Sequence, residues 1–423
     1  MLNLKSIFNR VGISVVFVLI IFTPSIRFLP YYTWLLALFG LSSLFDSSFR
    51  KLIRFNGRYN KLFIISLFLC FFYNIVAVPI LHGCRDCSYV PLQIGIVLTL
   101  LRDVLLVYII HKFCYTTDLL KSYCNYFLIA CCVYVLFTLV FIYAPSFKDF
   151  WLGSILANVE DRTKTFMAYE FRYSLDGFAA FSSSSTFSFA CLLCCYRISQ
   201  NNKVSLLQIL CLMTIVVGCF FYGRISLIGM LLGSFLIIRN NTHPLKSIKV
   251  FLYILAVTFF LLSVLEGLSR TNDSIAIWEE WAFALIRQLF IEKEVTDYSA
   301  THMFEDMYYM PEIGTLIIGD GQYTAANGAY YGSTDVGFMR LILYGGLLGL
   351  IVSYNTVIRL AKSIIASVYS GDRLFKIFIV LSVILFGVLE MKGESYHRAL
   401  MLLYPLFLIS NYQHSPKKSI DYE

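Results

Sequence analysis

The sequence predicts an all-α integral membrane protein, one polytopic domain over residues 1–423 with about twelve transmembrane helices. Three observations predict it. The chain is 58% hydrophobic and only 14% charged, with a mean hydropathy of +0.72; soluble proteins carry about 25% charged residues. Apolar runs recur from end to end, each long enough to cross about 30 Å of hydrocarbon. Lys and Arg, in excess by +8 overall, gather in the short connections between those runs. That placement reads as a topology signal. Nucleic-acid binding is excluded, because no basic patch is interleaved with aromatics on a folded module.

Hydropathy places the spans near 11–25, 28–45, 61–81, 91–111, 123–144, 177–196, 204–222, 225–238, 249–266, 335–358, 375–391 and 396–411. Lys5 and Arg10 precede the first, and no small-residue cleavage site follows it. It therefore reads as an anchor rather than a removable signal. The seventh and eighth meet at Tyr222-Gly223-Arg224, either as a hairpin with almost no loop or as one broken helix. With the N-terminus in the cytoplasm, the inside segments hold Arg50, Lys51, Arg54, Arg58 and Lys61, then Lys112 and Lys121, Arg197 and Lys203, Arg239, Lys246 and Lys249, Arg359, Lys362, Arg373 and Lys376, and Lys417 and Lys418. A single span at Gly223 would break this bias from Arg239 onward, so the hairpin is preferred. Both termini are expected in the cytoplasm.

Two outer segments are long, about 145–176 and about 267–334, and long loops in compact proteins usually carry function. Within the second, Trp278, Trp281, Leu285 and Leu289 share one face of a helix expected near 277–290, lying along the membrane–water boundary. Ser182–Ser185 in the sixth span are read as permitting close helix packing. Most of the 12 cysteines sit inside apolar runs, where they behave as small hydrophobes. Cys84 and Cys87 stand apart, in a short polar loop that allows a disulfide if it faces an oxidising compartment.

An ionisable side chain inside a span costs about 2.5–3.5 kcal/mol and so needs a partner or a task. Arg102 and Asp103 lie in the fourth span, about 100° apart around the helix, and are read as part of a buried network. Arg224 follows Gly223 at the start of a helix, where backbone N–H groups and a guanidinium suit an anion. Asp335 and Arg340 open the tenth span; Asp335 is also a candidate N-cap. The last outer turn, Glu390 to Arg398, holds five ionisable groups: Glu390, Lys392, Glu394, His397 and Arg398. Near the end of the first outer loop, Arg162, Lys164, Glu170, Arg172 and Asp176 alternate with Tyr169, Phe171 and Tyr173. Rings among charges suit sugars, whose faces stack and whose hydroxyls need polar partners. Tyr173, Tyr308, Tyr323 and Tyr330 are the sugar-binding candidates, with Tyr309 and Tyr331 in the same loop.

These features resemble the O-antigen polymerase (Wzy-type) family of bacterial inner membranes. The layout of the whole chain is similar, and so are three short stretches. They are Tyr222-Gly223-Arg224-Ile225-Ser226; Gly319-Asp320-Gly321 with Ser333-Thr334-Asp335-Val336-Gly337-Phe338 and Gly345-Gly346-Leu347-Leu348-Gly349; and Glu390-Met391-Lys392. Related O-antigen ligases share the layout but carry a His-Asn motif in the large loop. Here Gly321 to Tyr330 contains Asn327 and no His, and His302 lies farther upstream. That departure favours a polymerase over a ligase or another lipid-linked glycosyltransferase. A flippase, the alternative from the transporter class, is expected to show repeat-related halves and short loops on both sides.

The resemblance implies a multi-pass protein of the inner membrane with its active site facing the periplasm, embedded in membrane lipids. It implies an undecaprenyl-diphosphate-linked oligosaccharide as substrate, with a chain-length regulator and a flippase as partners in the same pathway. The growing glycan would pass to a hydroxyl of the next lipid-linked unit. Arg224, Arg340 and Arg172 are expected to hold the diphosphate, since guanidinium binds phosphate bidentately and stays charged. Asp335, Glu394 and His397, in that order, are the candidates for general base. No cofactor is expected, and the enzyme is expected to be metal-independent.

Overall fold

A computed structural model describes residues 4–52, 57–114, 118–155, 172–179, 181–201, 204–240, 267, 276–278, 303–326, 328–368 and 372–413. The described chain is overwhelmingly helical. Its helices are α1 (Leu4–Phe22), α2 (Tyr32–Ser43), α3 (Ser47–Leu52), α4 (Arg58–Leu81), α5 (Tyr89–Phe113), α6 (Leu119–Tyr143), α7 (Pro145–Ser154), α8 (Phe181–Gln200), α9 (Leu206–Tyr222), α10 (Leu227–Asn240), α11 (Ile313–Ile318), α12 (Gly337–Ser367), α13 (Arg373–Leu389) and α14 (Tyr396–Gln413). Four of them, α4, α5, α6 and α12, are long and apolar enough to cross a membrane. Phe28, Phe45, Phe68, Ile80, Leu207 and Leu231 are each 67% exposed or more. So much apolar surface left outside the core is what a lipid-facing exterior requires. The ninth expected span, near 249–266, and most of the expected boundary helix 277–290 lie outside the described residues. Of the latter, Trp278 is buried against Phe221, with ring centroids 5.1 Å apart.

Contacts sort the helix termini into two ends. At one end Asp46 pairs with Lys112 at 2.9 Å, Asn60 donates to Asn411 at 2.6 Å, and Tyr412 meets His111 at 2.9 Å. At the other end lie the close of α4, the starts of α5, α12 and α14, and the turn after α13. Tyr89 there meets Tyr396 at 3.0 Å, and Gly337 N–H donates to the Glu390 carbonyl at 3.0 Å.

The stretch around Tyr222-Gly223-Arg224 forms two helices. Along α8, Ser184 lies beside Tyr222 and Cys191 beside Cys219, so α9 runs antiparallel to α8. Ser184 also receives Ser226, and Ser188 receives Gly229, so α10 runs parallel to α8. The two helices after Gln200 are thus a hairpin, turned by Gly223 and a single 3-10 turn, Arg224–Ser226. The serines of α8 let these backbones approach. A Cβ at position 229 would collide with the Ser188 carbonyl, so only glycine fits there.

Two irregular helices shape the end that carries the charges. In α4, residues Tyr73–Ala77 widen into a π-turn just ahead of Pro79, as a proline that blocks the regular ladder promotes. The Val78 N–H reaches back to the Tyr73 carbonyl, which frees the Asn74 carbonyl, and the Tyr344 hydroxyl donates to it at 2.7 Å. In α12 the ladder breaks at Gly346, whose φ is +66°. Tyr73 then donates to the Gly345 carbonyl at 2.7 Å. The N–H groups of Asp320 and Gly321 take the carbonyls of Leu343 and Tyr344 at 2.8 and 3.0 Å. Backbone groups freed inside an apolar layer must find such partners. The Gly319-Asp320-Gly321 stretch is therefore a plug for a broken helix.

Candidate functional site

The site is built where α12, the α13–α14 turn and the start of α5 converge. Arg340 stands one turn into α12, after a loop that ends at Thr334-Asp335-Val336. Its guanidinium is sandwiched between two rings, 4.0 Å from the Tyr323 centroid and 3.8 Å from that of Tyr330. Arginine suits this position because it is planar and stacks on aromatic faces, which lysine does not do as well. The Thr324–Tyr330 bridge folds the intervening chain back so that both rings reach the same cation.

One edge of Arg340 faces Glu394. Nη1 lies 3.4 Å from Oε2, with both side chains under 10% exposed. Tyr323 donates to the same oxygen. The other carboxylate oxygen, Oε1, lies 2.7 Å from His397 Nδ1 and 3.4 Å from the Tyr89 hydroxyl. Gln93, from the first turns of α5, donates to the Tyr396 hydroxyl at 2.7 Å and sits 3.0 Å from His397 Nε2. An amide that donates to Nε2 leaves the imidazole proton on Nδ1, directed at Glu394. Burial would raise the Glu394 pKa, but His397, Arg340 and the Tyr323 hydroxyl together hold it below the ordinary carboxylate value. The carboxylate is thus held charged in a dry place. Burial, reinforced by the Glu394 charge, pushes the Tyr323 phenol far up, so it remains a donor.

Beside this cluster, Glu390 accepts from the Ser395 N–H at 2.7 Å and from its hydroxyl at 2.6 Å. That pins the tight turn from which Glu394 projects. A second cluster lies one residue along α14. Asp176, in the turn of the small hairpin Tyr173–Ser174 and Gly177–Phe178, accepts from Tyr134 and feels the charge of Arg398. Burial pushes the Asp176 pKa up to about 6, with Tyr134 working against it. Neighbouring residues thus face two different carboxylates: His397 contacts Glu394, and Arg398 lies within electrostatic range of Asp176.

The structure brings five of the candidates together: Arg340, Glu394, His397, Tyr323 and Tyr330. Tyr308 reaches the rim, donating to the Met391 carbonyl at 2.5 Å. Arg224 is half-buried at the α9–α10 turn, and Arg172 is half-buried just ahead of the hairpin. Tyr173 is 2% exposed, with Lys148 over its ring and its carbonyl taken by Thr138, so it offers no open face to a sugar. Asp335 is exposed and forms no hydrogen bond or ion pair among the described residues. Arg340 pairs with Glu394 rather than with its sequence neighbour Asp335, and Val336 rather than Asp335 occupies the N-cap position of α12. Arg102 donates to Thr99 within its own helix, and Asp103 lies in the electrostatic reach of Tyr123 and Tyr404.

Tyr89, Gln93, Tyr396 and Asp86 are new to the site. Gln93 was detectable as a lone amide in an apolar run. The others carried no signal that separates them from ordinary interfacial residues. Among the described residues, no group of three or more His, Cys, Asp or Glu side chains is arranged to hold a metal ion. Compared with known protein families, curated proteins and solved structures, the chain matches none.

Proposed function

We propose that this chain is a membrane glycosyltransferase of the O-antigen polymerase type. In this reading it joins undecaprenyl-diphosphate-linked oligosaccharide units at the outer face of a bacterial inner membrane, with about twelve spans and cytoplasmic termini. The observation that carries the reading is the buried constellation of Arg340, Glu394 and His397 under two tyrosine rings, at the end of the bundle where the long loop returns.

The chemistry follows from the residues. The bond between the anomeric carbon and the diphosphate oxygen breaks, and the diphosphate leaves with the electron pair. Arg340 stabilises that charge, and its planar fork in a low-dielectric setting does so better than an exposed cation. The acceptor hydroxyl forms the new bond to the anomeric carbon and loses its proton. His397 takes that proton on Nε2, oriented through Nδ1 by Glu394, as a carboxylate orients a histidine in other acyl- and group-transfer sites. Substrate entry displaces Gln93 from Nε2. Glu394 thus replaces Asp335 as the first carboxylate of the mechanism. Tyr323, Tyr330 and Tyr308 supply faces and hydroxyls for the sugar.

The test is deletion of the gene in its host, with lipopolysaccharide resolved on a gel. The expected result is a ladder that collapses to core plus one repeat unit. Loss of every O-antigen band, the single unit included, points instead to a ligase or flippase and overturns the reading.

A further inference from the structure

The turn between α4 and α5 reads Gly83-Cys84-Arg85-Asp86-Cys87-Ser88. Asp86 at its centre holds the long loop in place. Its Oδ2 accepts the backbone N–H groups of Tyr323 and Thr324 at 2.7 and 2.8 Å. Its Oδ1 accepts the Ser88 N–H at 2.7 Å, and the Ser88 hydroxyl lies 2.7 Å from that of Thr324. These bonds outweigh the cost of burial and keep the Asp86 pKa below its ordinary value, so each is charge-assisted. The residue they hang on Asp86 is the Tyr323 that covers Arg340 and donates to Glu394. Asp86 therefore sets where the roof of the site stands.

The two cysteines bracket this carboxylate. Gly83 and Cys84 are both left-handed, with φ of +64° and +54°, and the Cys84 N–H turns back to the Pro79 carbonyl at 2.7 Å. Cys87 is fixed from the other side, its carbonyl accepting the Val90 N–H in the first turn of α5. The reversal leaves both cysteines exposed on the same short turn, three residues apart. The other cysteines of the chain lie in or against the apolar helices; this pair lies in solvent, beside the site.

We propose that Cys84 and Cys87 form a disulfide that locks Asp86 against Tyr323 and Thr324, so that the roof over Arg340 is held in place by oxidation. The proposal rests on the reading that this end of the bundle faces an oxidising compartment. The step is thiol–disulfide exchange. One thiolate attacks a disulfide-bearing oxidant, and the second thiolate attacks the mixed disulfide. One S–S bond forms here, one breaks in the oxidant, and two electrons and two protons pass to it as two thiols. Closing a four-residue ring removes most of the freedom of Arg85 and Asp86, and with it the route by which the long loop would lift away.

Two measurements on the full chain test this, and neither needs glycan synthesis. In membranes, free thiols are blocked with N-ethylmaleimide under denaturing conditions; the sample is then reduced and labelled with a polyethylene-glycol maleimide. Two labels per chain are expected only after reduction, and none in Cys84→Ser or Cys87→Ser. Equal labelling with and without reduction, or labelling that survives in Cys84→Ser, overturns the disulfide. Hydrogen exchange is then followed at the Tyr323 and Thr324 amides of purified protein. Reduction is expected to speed it at least tenfold in wild type and not in the Cys84→Ser/Cys87→Ser variant. Unchanged exchange on reduction overturns the lock. If the deletion gel overturned the glycan reading, both readouts would still stand or fall on their own.

Discussion

Arg340 and Glu394 meet as a buried ion pair, Nη1 to Oε2 at 3.4 Å, although one lies in α12 and the other in the turn between α13 and α14. Neither has water to fall back on. Arg340 is tolerated between Glu394 and the rings of Tyr323 and Tyr330, and Glu394 among Arg340, Tyr323, Tyr89 and His397. Breaking one side of a buried pair leaves an uncompensated charge and costs about 3–5 kcal/mol. Glu394→Gln is therefore expected to lower unfolding stability in detergent by about 3 kcal/mol. Adding Arg340→Met to Glu394→Gln should recover part of it, because the second change removes the stranded charge. If the double variant is as unstable as the sum of the two single ones, the pair is not coupled.

Arg340→Lys keeps the charge but loses the flat surface that fits between Tyr323 and Tyr330. A stacked cation–π contact is worth about 2 kcal/mol when desolvated. If the chain is the proposed polymerase, chain extension is expected to fall roughly 10–100-fold at unchanged protein level, since each 1.4 kcal/mol is about tenfold. The gel should show mostly core plus one unit. A wild-type ladder from Arg340→Lys refutes a role for the sandwich.

The two carboxylates of this end should respond to pH in opposite senses. Glu394 is held below its ordinary value in the fold, so it binds its proton more weakly folded than unfolded. Its contribution is full above the ordinary carboxylate range and is lost as pH falls through its folded pKa. Asp176 is pushed up from 3.8 to about 6. Its protonated form is favoured in the fold, so stability is greatest below 3.8 and is lost as pH rises through about 6. Thermal melts from pH 3.5 to 7.5 check both. Relative to Asp176→Asn, wild type should lose stability between about pH 4 and 6. Relative to Glu394→Gln, it should lose stability only on acidification.

Much of this arrangement was legible in the residues, and the misses have a common cause. Hydropathy finds a run such as Tyr89–Phe113 because the signal is local. The hairpin at Gly223 followed from the placement of Arg239 and its neighbours. Arg340, Glu394 and His397 stood out because ionisable groups at a membrane edge are costly. What no local rule showed was who meets whom. Arg340 is near Asp335 in sequence and pairs with Glu394 in space. Tyr173 looks like a sugar platform by its company and is buried by its hairpin. Asp86 lies between two cysteines in a short polar loop, and its partners lie across the bundle in the long loop. Partnerships between distant segments are decided by packing, which a single sequence does not print.

Gly346 offers the sharpest test of how the fold supports the site. Its φ of +66° lies where residues with a side chain are strained, and a Cβ there would run into the backbone at Ile317 and Ile318. The strain alone costs about 1–3 kcal/mol. The collision would also push α11 away and draw out the Asp320 and Gly321 N–H groups that plug the break. Those residues lead directly to Tyr323, so the disturbance should reach Arg340 without touching it. Gly346→Ala is expected to lose about 3 kcal/mol or more and to shorten the ladder on the gel. Gly387→Ala in α13 is the control, because a Cβ there meets open space. It should leave both stability and ladder unchanged. A Gly346→Ala protein that melts like wild type and, in the proposed polymerase assay, gives the wild-type ladder would show that the break in α12 is incidental to the site.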